Sequence, residues 1–314
     1  VSAAGTWLAL AYARRRNLLD HPGARRSHAV PTPRGGGVGI AVALLAASLL
    51  AAWTGMAPAA SSLGFAAGLV LVAGIGWMDD HRPLSPWLRL GVQCVAGLVL
   101  AWGLYGVDGQ WSRAAMALLL VPVLVNVWNF MDGIDGLAAT QAILAAIGMA
   151  VIAPCVTIGA LAFAAAVAGF LPFNFPRARI FLGDAGSGTL GYVLAALAAW
   201  AVSTLASPYA PVLLLPLSVF MIDAALTLGA RMLSGERWWQ PHTSHLYQRW
   251  VKAGRSHVFV TSVYAVFSLA AIILAGFLKG AEPWLAWGGV AIWLAFALLG
   301  WVQIRRLVLP GKGK

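Results

Sequence analysis

The sequence has very little charge for its length. Only 10% of its 314 residues are Asp, Glu, Lys or Arg, whereas 61% are hydrophobic. A water-soluble domain carries about 25% charged residues, so this chain has too few to cover its surface in water. The mean hydropathy of +0.81 agrees with this reading. The composition excludes an ordinary soluble domain and predicts a protein whose main solvent is lipid.

Cysteine is scarce as well, with Cys94 and Cys155 both inside apolar stretches. They form no CxxC pair, and we expect both to pack in the core as small hydrophobic side chains. The sequence also lacks convincing internal repeats, low-complexity segments and room for a separate soluble domain. Residues 1–314 are therefore predicted to form a single integral membrane domain.

Long apolar runs fill most of the chain. A helix needs about 20 mostly apolar residues to cross a membrane. Such runs lie near 35–54, 62–78, 87–106, 113–130, 137–153, 157–173, 189–206, 210–230, 256–278 and 284–304. A shorter run at 1–13 lacks the features of a signal peptide, so we expect a first helix that has lost residues at its start. These runs predict an all-α polytopic protein with about 11 transmembrane helices.

Basic residues are distributed unequally between the ends of these helices. If successive helices alternate in direction, one side of the membrane receives the C-terminal tail and the loops 14–34, 79–89, 131–136, 174–188 and 231–255. Of the 21 Lys and Arg residues, only Arg113 and Lys279 fall on the other side, which leaves 19. The positive-inside rule makes the crowded side cytoplasmic, with the N-terminus outside and the C-terminus inside.

The formal net charge of +11 requires no nucleic-acid partner. The positive charges orient the protein and face the anionic headgroups of membrane lipids. Acidic residues gather on the same side, although the positive-inside rule does not require it. They are Asp20, Asp79, Asp80, Asp132, Asp135, Asp184 and Glu236. Carboxylates from several loops on one face indicate a functional site.

Asp79 and Asp80 end the apolar run GLVLVAGIGWMDD. If the helix continues this far, both carboxylates meet its negative C-terminal end, and their adjacent charges destabilise each other. A metal ion or a role as a general base would offset both costs. A hydrated loop turn is the alternative.

Asn126, Asn129, Asp132 and Asp135 recur at intervals of three in NVWNFMDGIDGLA. A strict α-helix would spread them over half its circumference, but a helix end broken at the glycines could point them into one pocket. Polar residues at the end of a spanning helix are costly unless paired, which favours a binding site. Hydrogen bonding between helices is the alternative.

Asp184 lies in FLGDAGSGTLGY, just before a predicted helix. Glycines allow backbone N–H groups to approach a ligand, and a helix N-terminus favours phosphate. A lone carboxylate there suits Mg²⁺, which takes one or two protein carboxylates plus substrate phosphate oxygens. Phe181 either stacks on a nucleobase or only packs.

Two further loops carry residues suited to phosphate. His242 and His245, in QPHTSHLYQRW, have no third nitrogen or sulfur ligand nearby for zinc. With Arg249 they suit a diphosphate better, and a plain surface loop is the alternative. In the first loop, Arg34 beside GGGVG could contact a phosphate. That motif is not a dinucleotide-binding fingerprint, because no strand precedes it.

Five blocks in this order resemble the polyprenyl-phosphate N-acetylhexosamine-1-phosphate transferases, a superfamily that includes the phospho-MurNAc-pentapeptide translocase. The blocks are HAVPTPRGGG, WMDD, NVWNFMDGIDGLA, FNFPRARIFLGDAGS and PHTSHLYQR, and they span residues 28–249. HTSHLYQR resembles the branch that starts O-antigen or other surface-polysaccharide units. The histidine run and the lysine-rich stretch typical of the translocase branch are absent from the sequence, which puts a MurNAc-pentapeptide substrate in doubt.

The resemblance implies a role for each matching residue. The pair Asp79 and Asp80 would activate the lipid phosphate or lie beside the metal, with Asp184 as Mg²⁺ ligand and Asn129 near the metal and diphosphate. Asp135 and Phe181 match positions that contact uracil, and His242 and His245 match a diphosphate loop. Arg89 stands where relatives carry a basic residue, often Lys. The full set of expected substrate-binding residues is Asn126, Asp132, Asp135, Phe181, Arg89, His242, His245, Arg249 and Arg34.

The implied activity is transfer of an N-acetylhexosamine 1-phosphate from a UDP-sugar to undecaprenyl phosphate, with release of UMP, at the cytoplasmic face of a bacterial inner membrane. Mg²⁺ is the expected cofactor, Mn²⁺ could replace it, and a homodimer is left open. The rivals are activity like that of the phospho-MurNAc-pentapeptide translocase, a secondary transporter and a non-catalytic lipid-binding scaffold. A transporter would place its ionisable residues near the membrane midplane, whereas here they lie at helix ends.

Overall fold

The apolar runs form the helices of the structure, a computed structural model that describes residues 1–21, 23, 30–106, 111–205, 207–236 and 242–308. The helices within these ranges are α1 Ser2–Arg15, α2 Val38–Trp53, α3 Ala59–His81, α4 Pro86–Tyr105, α5 Trp111–Phe130, α6 Leu137–Ile152, α7 Thr157–Asn174, α8 Gly183–Thr204, α9 Ser218–Leu233, α10 Leu246–Lys252, α11 His257–Leu278 and α12 Pro283–Val308. Two short strands, β1 (Leu19–Asp20) and β2 (Thr32–Pro33), pair antiparallel in the first loop. The prediction of an all-α polytopic membrane protein is confirmed.

Among the described residues, seven helices are long and apolar enough to cross a membrane. They are α3, α4, α5, α7 with the turn before it, α8, α11 and α12. Helices α2 and α6 are also apolar but have 16 residues each. The prediction of 11 transmembrane helices therefore stays a prediction, as does the orientation of the chain.

Several predicted boundaries were wrong. The run at 210–230 is not one helix, because residues 207–214 form a 3₁₀ helix and α9 begins at Ser218. Pro211 and Pro216 lack the N–H that an α-helix needs at these positions. Helix α8 begins at Gly183 rather than near 189, so the predicted loop 174–188 is shorter. The predicted loop 231–255 contains the end of α9 and all of α10.

Helix α8 is the centre of the bundle. It packs against α2, α3, α5, α6 and α7, and almost all of its residues from Ala185 to Ala201 are buried. Its small residues allow the close approach that holds helices together in lipid. A Cβ added at Gly191 would lie 2.5 Å from the Cα of Val125 in α5, and one added at Gly76 in α3 would lie 2.5 Å from the carbonyl carbon of Asp184. The neighbouring backbones are therefore in direct contact.

The expectation that both cysteines pack in the core was wrong. Cys155 is exposed, with its Sγ 2.9 Å from the Oγ1 of Thr204, and Cys94 is only half-buried. An apolar run in a membrane helix does not distinguish the protein-facing side from the lipid-facing side, because lipid is as apolar as the core.

The α5–α8 contact predicts the effect of Gly191→Ala. The new methyl group would overlap the α5 backbone, so the variant should lose about 1–3 kcal/mol of stability. Gly74→Ala in α3 is the matched control, because nothing lies within 4 Å of the position of its added Cβ. Thermal unfolding in detergent should show a lower Tm for Gly191→Ala and no loss for Gly74→Ala. Equal melting temperatures would contradict the tight contact.

Candidate active site

The acidic pair Asp79 and Asp80 lies in the last turn of α3, and both residues are buried. The carboxylate of Asp80 accepts hydrogen bonds from the backbone N–H of Asp184 at 3.0 Å and from that of Ala185 at 3.2 Å. These amides belong to the first turn of α8, where N–H groups have no partner within the helix. Asp80 therefore joins the C-terminal end of α3 to the N-terminal end of α8, and it also complements the positive end of the α8 dipole.

Arg34 lies beside Asp80. Its Nη2 donates to the backbone carbonyl of Asp80, and its Nε is 3.9 Å from Oδ1 of the same residue. The Nε atom is buried and has no hydrogen-bond partner among the described residues. Arg34 thus keeps hydrogen-bonding capacity next to the acidic pair.

Asp79 faces a different set of partners from Asp80. Its Oδ1 accepts from the backbone N–H of Leu84 at 2.6 Å, and its Oδ2 accepts from Arg89 Nη1 at 2.8 Å. The same Arg89 nitrogen lies 3.3 Å from Oδ2 of Asp184. One guanidinium from α4 therefore bridges carboxylates from α3 and α8, and the structure brings Arg89 to the acids that the sequence predicted.

Asn129 completes this group from the end of α5. Its Nδ2 donates to Asp184 Oδ1 at 2.6 Å and to the hydroxyl of Ser187 at 3.1 Å. Asp79 and Asp184 share Arg89 Nη1, at 2.8 Å and 3.3 Å respectively. We call Asp79, Asp80, Arg89, Asn129 and Asp184 the acidic cluster. Four helices supply it: the consecutive α3, α4 and α5, and the more distant α8.

The donor atoms of the acidic cluster fit Mg²⁺ or Mn²⁺. Within the described ranges, no group of three His, Cys, Asp or Glu side chains forms a complete metal cage. Mg²⁺ does not need one, because it uses one or two carboxylates together with phosphate oxygens and water. Asp79 and Asp184 both contact Arg89 Nη1, so their carboxylates lie where a cation would relieve their repulsion. Rotating the Asn129 amide would add its oxygen as a third donor.

Asn126 lies one helical turn before Asn129, next to a residue that sequence reasoning missed. Its Nδ2 donates to Gln93 Oε1 at 2.7 Å and to the carbonyl of Pro122 at 2.7 Å. Gln93 is buried, and with Arg89, Asn126 and Asn129 it lines a small cavity beside the acidic cluster. A polar residue inside an apolar run, four positions after Arg89, was the signal available in the sequence.

Asp132 and Asp135 follow α5 in the loop before α6. Burial raises the pKa of Asp132 from 3.8 to about 7, and the negative charges of Asp80, Asp135 and Asp20 add to the effect. Asp135 accepts from the backbone N–H of Ala178 at 3.3 Å. The loop after α5 therefore lies close to both the acidic cluster and the loop that precedes α8.

Other contacts hold these loops together. His257, to which sequence reasoning gave no role, places its Nδ1 3.3 Å from Asp135 Oδ2. Asn174, which was also missed, accepts from the N–H of Gly136 at 2.8 Å and donates to the carbonyl of Ile180 at 3.1 Å. The backbone N–H of Phe181 donates to the carbonyl of Pro33 at 2.8 Å. Phe181 is thus fixed between the first loop and the loop after α5.

We call residues 242–245 and the start of α10 the histidine loop. The sequence predicted that both His242 and His245 face a diphosphate, but the structure places the two side chains differently. His245 is buried, lies 3.9 Å from the carboxylate of Asp223 and stacks on Phe130 with ring centroids 6.1 Å apart. Its side chain is therefore directed into protein. His242 is half-buried and remains the more open of the two histidines. Burial, aided by the positive charges of His245 and Arg231, lowers the pKa of His242 to about 4, so its imidazole is neutral near pH 7.

Asp223 anchors the histidine loop from α9. It accepts hydrogen bonds from the N–H of Leu246 at 2.9 Å, from Tyr264 at 2.8 Å and from Trp301 at 3.0 Å. Arg249 donates through Nε to the carbonyl of Ser244 at 2.9 Å, a contact within the loop.

A second contact brings the histidine loop to the end of α5. The hydroxyl of Tyr247 donates to the carbonyl of Phe130 at 3.0 Å. Helix α10 therefore packs beside the loop that carries Asp132 and Asp135.

The helices and the acidic cluster together define a class: a multi-pass membrane protein with a polar cluster where the ends of α3, α4, α5 and α8 meet. The model of glycosyl transferase family 4 matches residues 62–202. The decaprenyl-phosphate N-acetylglucosaminephosphotransferase of Mycobacterium leprae is 32% identical over 295 residues, which cover 78% of this chain and 73% of that protein.

Two further relatives extend this comparison. A probable undecaprenyl-phosphate N-acetylglucosaminyl 1-phosphate transferase of Bacillus subtilis is 29% identical over 91% of this chain and 83% of its own length. The phospho-N-acetylmuramoyl-pentapeptide-transferase of Heliobacterium modesticaldum is 36% identical over 42% of this chain and 50% of its own length. The chain belongs to glycosyl transferase family 4, as the resemblance of its sequence blocks predicted.

The raised pKa of Asp132 predicts that the stability of the protein depends on pH. A carboxyl group with a pKa of about 7 in the folded protein and 3.8 in the unfolded chain keeps its proton in the folded state while the unfolded chain loses it. Its contribution to stability is complete below about pH 4 and is lost as the pH rises to about 7. Asp132→Asn should remove this loss, so the Tm difference between variant and wild type should shift in favour of the variant between about pH 5 and pH 8. Parallel Tm curves would contradict the buried, protonated state.

Proposed function

We propose that the protein transfers an N-acetylhexosamine 1-phosphate from a UDP-sugar to undecaprenyl phosphate and releases UMP. The observation that carries the proposal is the convergence of Asp79, Arg89, Asn129 and Asp184 in a member of glycosyl transferase family 4. A phosphate group has strong acceptor oxygens and negative charge, and this cluster supplies an arginine, an amide and carboxylates for a cation. The names of the Mycobacterium leprae and Bacillus subtilis relatives, which specify decaprenyl phosphate and undecaprenyl phosphate, support the acceptor class.

The reaction forms a bond between an oxygen of the lipid phosphate and the β-phosphorus of the donor, and it breaks the bond to UMP. A phosphate monoester has a second pKa near 6, so the acceptor is largely a dianion at neutral pH and needs positioning more than a strong base. Asp79 is the carboxylate placed to orient it or remove its remaining proton, since it shares Arg89 with Asp184. Bound Mg²⁺, held by Asp184 with Asp79 and Asn129, would neutralise charge on the diphosphate.

Asp80 has a different role from Asp79 in this proposal. Both of its carboxylate oxygens accept hydrogen bonds from amides of α8, which leaves it engaged with protein. Asp80 acts as a positioning residue because it fixes the turn that carries Asp184. The acidic pair that the sequence predicted as catalytic is thereby divided into one reacting and one positioning residue.

The UDP-sugar is proposed to bind against the loop after α5 and the loop before α8, beside the acidic cluster. Phe181 and Asp135 are the proposed contacts of the uracil, since the loops that carry them are tied together through Ala178. His242, Arg34 and Arg249 are the remaining cationic or polar groups proposed for the diphosphate. The neutral imidazole of His242 still has one N–H to donate.

We further propose that the product starts a lipid-linked surface polysaccharide of the O-antigen type, at the cytoplasmic face of a bacterial inner membrane. The block HTSHLYQR supports this branch. The rival phospho-MurNAc-pentapeptide activity has weaker support, because the Heliobacterium relative matches only 42% of the chain. A secondary transporter is also less well supported, because the acidic cluster lies at helix ends rather than at mid-helix.

Asp184→Asn tests the reaction. The amide keeps the shape of the side chain but removes the charge that would hold Mg²⁺, so Mg²⁺-dependent UMP release should fall by at least about 10²-fold. Membranes would be incubated with undecaprenyl phosphate and a panel of UDP-N-acetylhexosamines, with the lipid product identified by mass. Glu282→Gln is the matched control, because Glu282 is an exposed acid at the start of α12. Release at the wild-type rate by Asp184→Asn would refute the proposed metal role.

The proposed orientation predicts which side of the membrane can be labelled. In a background with Cys94 and Cys155 replaced by Ala, Arg82→Cys should react with a membrane-impermeant maleimide in inverted vesicles but not in intact cells. Glu282→Cys should show the opposite pattern. Both positions are exposed and follow or precede a candidate membrane span. Labelling of both residues from the same side would contradict the topology.

A further inference from the structure

Gln93 is a buried amide in the apolar helix α4, and the proposed reaction gives it no role. It follows Arg89 by one helical turn, so the two side chains lie on the same face of α4. A polar side chain inside a candidate membrane span is costly unless it has partners. The contacts of Gln93 therefore indicate what it does.

Asn126 of α5 is the partner of Gln93. Its Nδ2 donates to Gln93 Oε1 and to the carbonyl of Pro122, both at 2.7 Å. A carbonyl oxygen can only accept, so the Pro122 contact fixes which end of the Asn126 amide is the nitrogen. Because the same nitrogen reaches Gln93, the Gln93 amide must present its oxygen. Its NH₂ group is left to face the small cavity that Gln93 and Asn126 both line.

The Gln93–Asn126 bond is the second of two polar links between α4 and α5. In the first link, Arg89 and Asn129 reach the two oxygens of one carboxylate. Arg89 Nη1 is 3.3 Å from Oδ2 of Asp184, and Asn129 Nδ2 is 2.6 Å from Oδ1. Asn126 precedes Asn129 by three residues, and Gln93 follows Arg89 by four. The second link thus lies one turn further along the same two helices, directly behind the first.

The packing of α4 against α5 is tight around this bond. One turn beyond Gln93, a Cβ added at Gly97 would lie 3.2 Å from the Cα of Leu118 in α5, so the two backbones are close. The cavity beside Gln93 has a volume of about 20 Å³, which is room for one water molecule but not for a sugar or a phosphate. A direct contact between Gln93 and a substrate does not fit this space. Its bond to Asn126 instead fixes the register of α4 against α5.

We infer that Gln93 is a positioning residue for the acidic cluster. Through Asn126 it holds α4 and α5 in the register that brings Arg89 and Asn129 to the same carboxylate. It thereby sets the geometry in which Asp184 would hold the cation. The inference rests on the proposed function, including its metal role, and adds a residue behind the reacting groups.

Gln93→Leu tests the inference with Mn²⁺ as the probe. Leucine keeps much of the side-chain volume but removes the acceptor for Asn126. Loss of a group that orients metal ligands typically weakens metal binding by roughly 10–100-fold, so the Kd for Mn²⁺ should rise by at least about tenfold. Binding would be measured on the purified full chain in detergent, from the electron paramagnetic resonance signal of free Mn²⁺.

The same variant should separate the metal requirement from the maximal rate. With a UDP-N-acetylhexosamine and undecaprenyl phosphate, the Mg²⁺ concentration that gives half-maximal UMP release should rise by about tenfold in Gln93→Leu. Saturating Mg²⁺ should restore most of kcat, because Gln93 does not touch the reacting atoms. A loss of kcat with an unchanged Mg²⁺ requirement would overturn the positioning role.

Gln141→Leu is the matched control, because it removes an equally buried amide that lies elsewhere. Gln141 of α6 accepts from the hydroxyl of Ser268 in α11 at 2.6 Å, and neither residue lines the cavity. Both leucine variants should have a lower Tm, but only Gln93→Leu should lose Mn²⁺ affinity. If Gln93→Leu does not fold, Gln93→Asn replaces it, since its shorter amide stays polar but stops short of Asn126.

The two readouts separate the positioning role from the proposed reaction. If the Gln93 variants bind Mn²⁺ more weakly than Gln141→Leu but no UDP-sugar yields UMP, the positioning role stands and the reaction fails. If UMP is released and the Gln93 variants bind Mn²⁺ as tightly as Gln141→Leu, the reaction stands and the positioning role is wrong. A wild-type chain that binds no Mn²⁺ would also overturn the positioning role, because Gln93 would have no cation site to support.

Discussion

The candidate site depends on one contact, between the carboxylate of Asp80 and the first amides of α8. The end of α3 carries a partial negative charge and the start of α8 a partial positive one, so the two helix ends meet with complementary dipoles. Asp80 adds two hydrogen-bond acceptors at this junction, one for each of two α8 amides. Asp79 and Asp184 are neighbours because the two helix ends are held in this way. The buried carboxyl group of Asp80 is stabilised by the two amides that donate to it and by the neighbouring Arg34.

The same junction explains why small residues are concentrated in α8. A Cβ at Gly183 would lie 2.5 Å from Asp80 Oδ2, and one at Gly186 would lie 2.8 Å from the Cα of Gly37. Gly183 also has a φ of 73°, a backbone conformation that residues other than glycine rarely adopt. Gly186 thus allows the backbones of α8 and the α2 N-terminus to meet, and Gly183 leaves room for the Asp80 carboxylate. Their role here is helix packing, which complements the phosphate-binding role that their sequence pattern suggested.

Much of this arrangement could be predicted from the sequence, for identifiable physical reasons. Apolar runs predict membrane helices because length and hydropathy are local properties. The acids at 79, 80, 132, 135 and 184 could be grouped because all of them fall at helix ends on one predicted side. What could not be predicted was the direction of each side chain. Asp79 and Asp80 are adjacent in sequence yet face different helices, and His245 faces protein although its motif resembles a ligand-binding loop.

The missed residues share a property. Gln93, Asn174 and His257 act through partners that are distant in sequence, so no local pattern marks them. The run at 210–230 is apolar throughout, so hydropathy alone predicted one helix. Its prolines are the only local sign that α9 begins at Ser218, and the sequence did not show which of them would end a helix.

The enclosure of α8 has a consequence for biogenesis. Helices α1 to α7 are synthesised before residues 183–204, yet α2, α3, α5, α6 and α7 all pack against α8. These earlier helices cannot reach their final arrangement while the central position is empty. Assembly of the bundle must therefore wait until the eighth helix has entered the membrane, and the acidic cluster forms only at that stage of insertion.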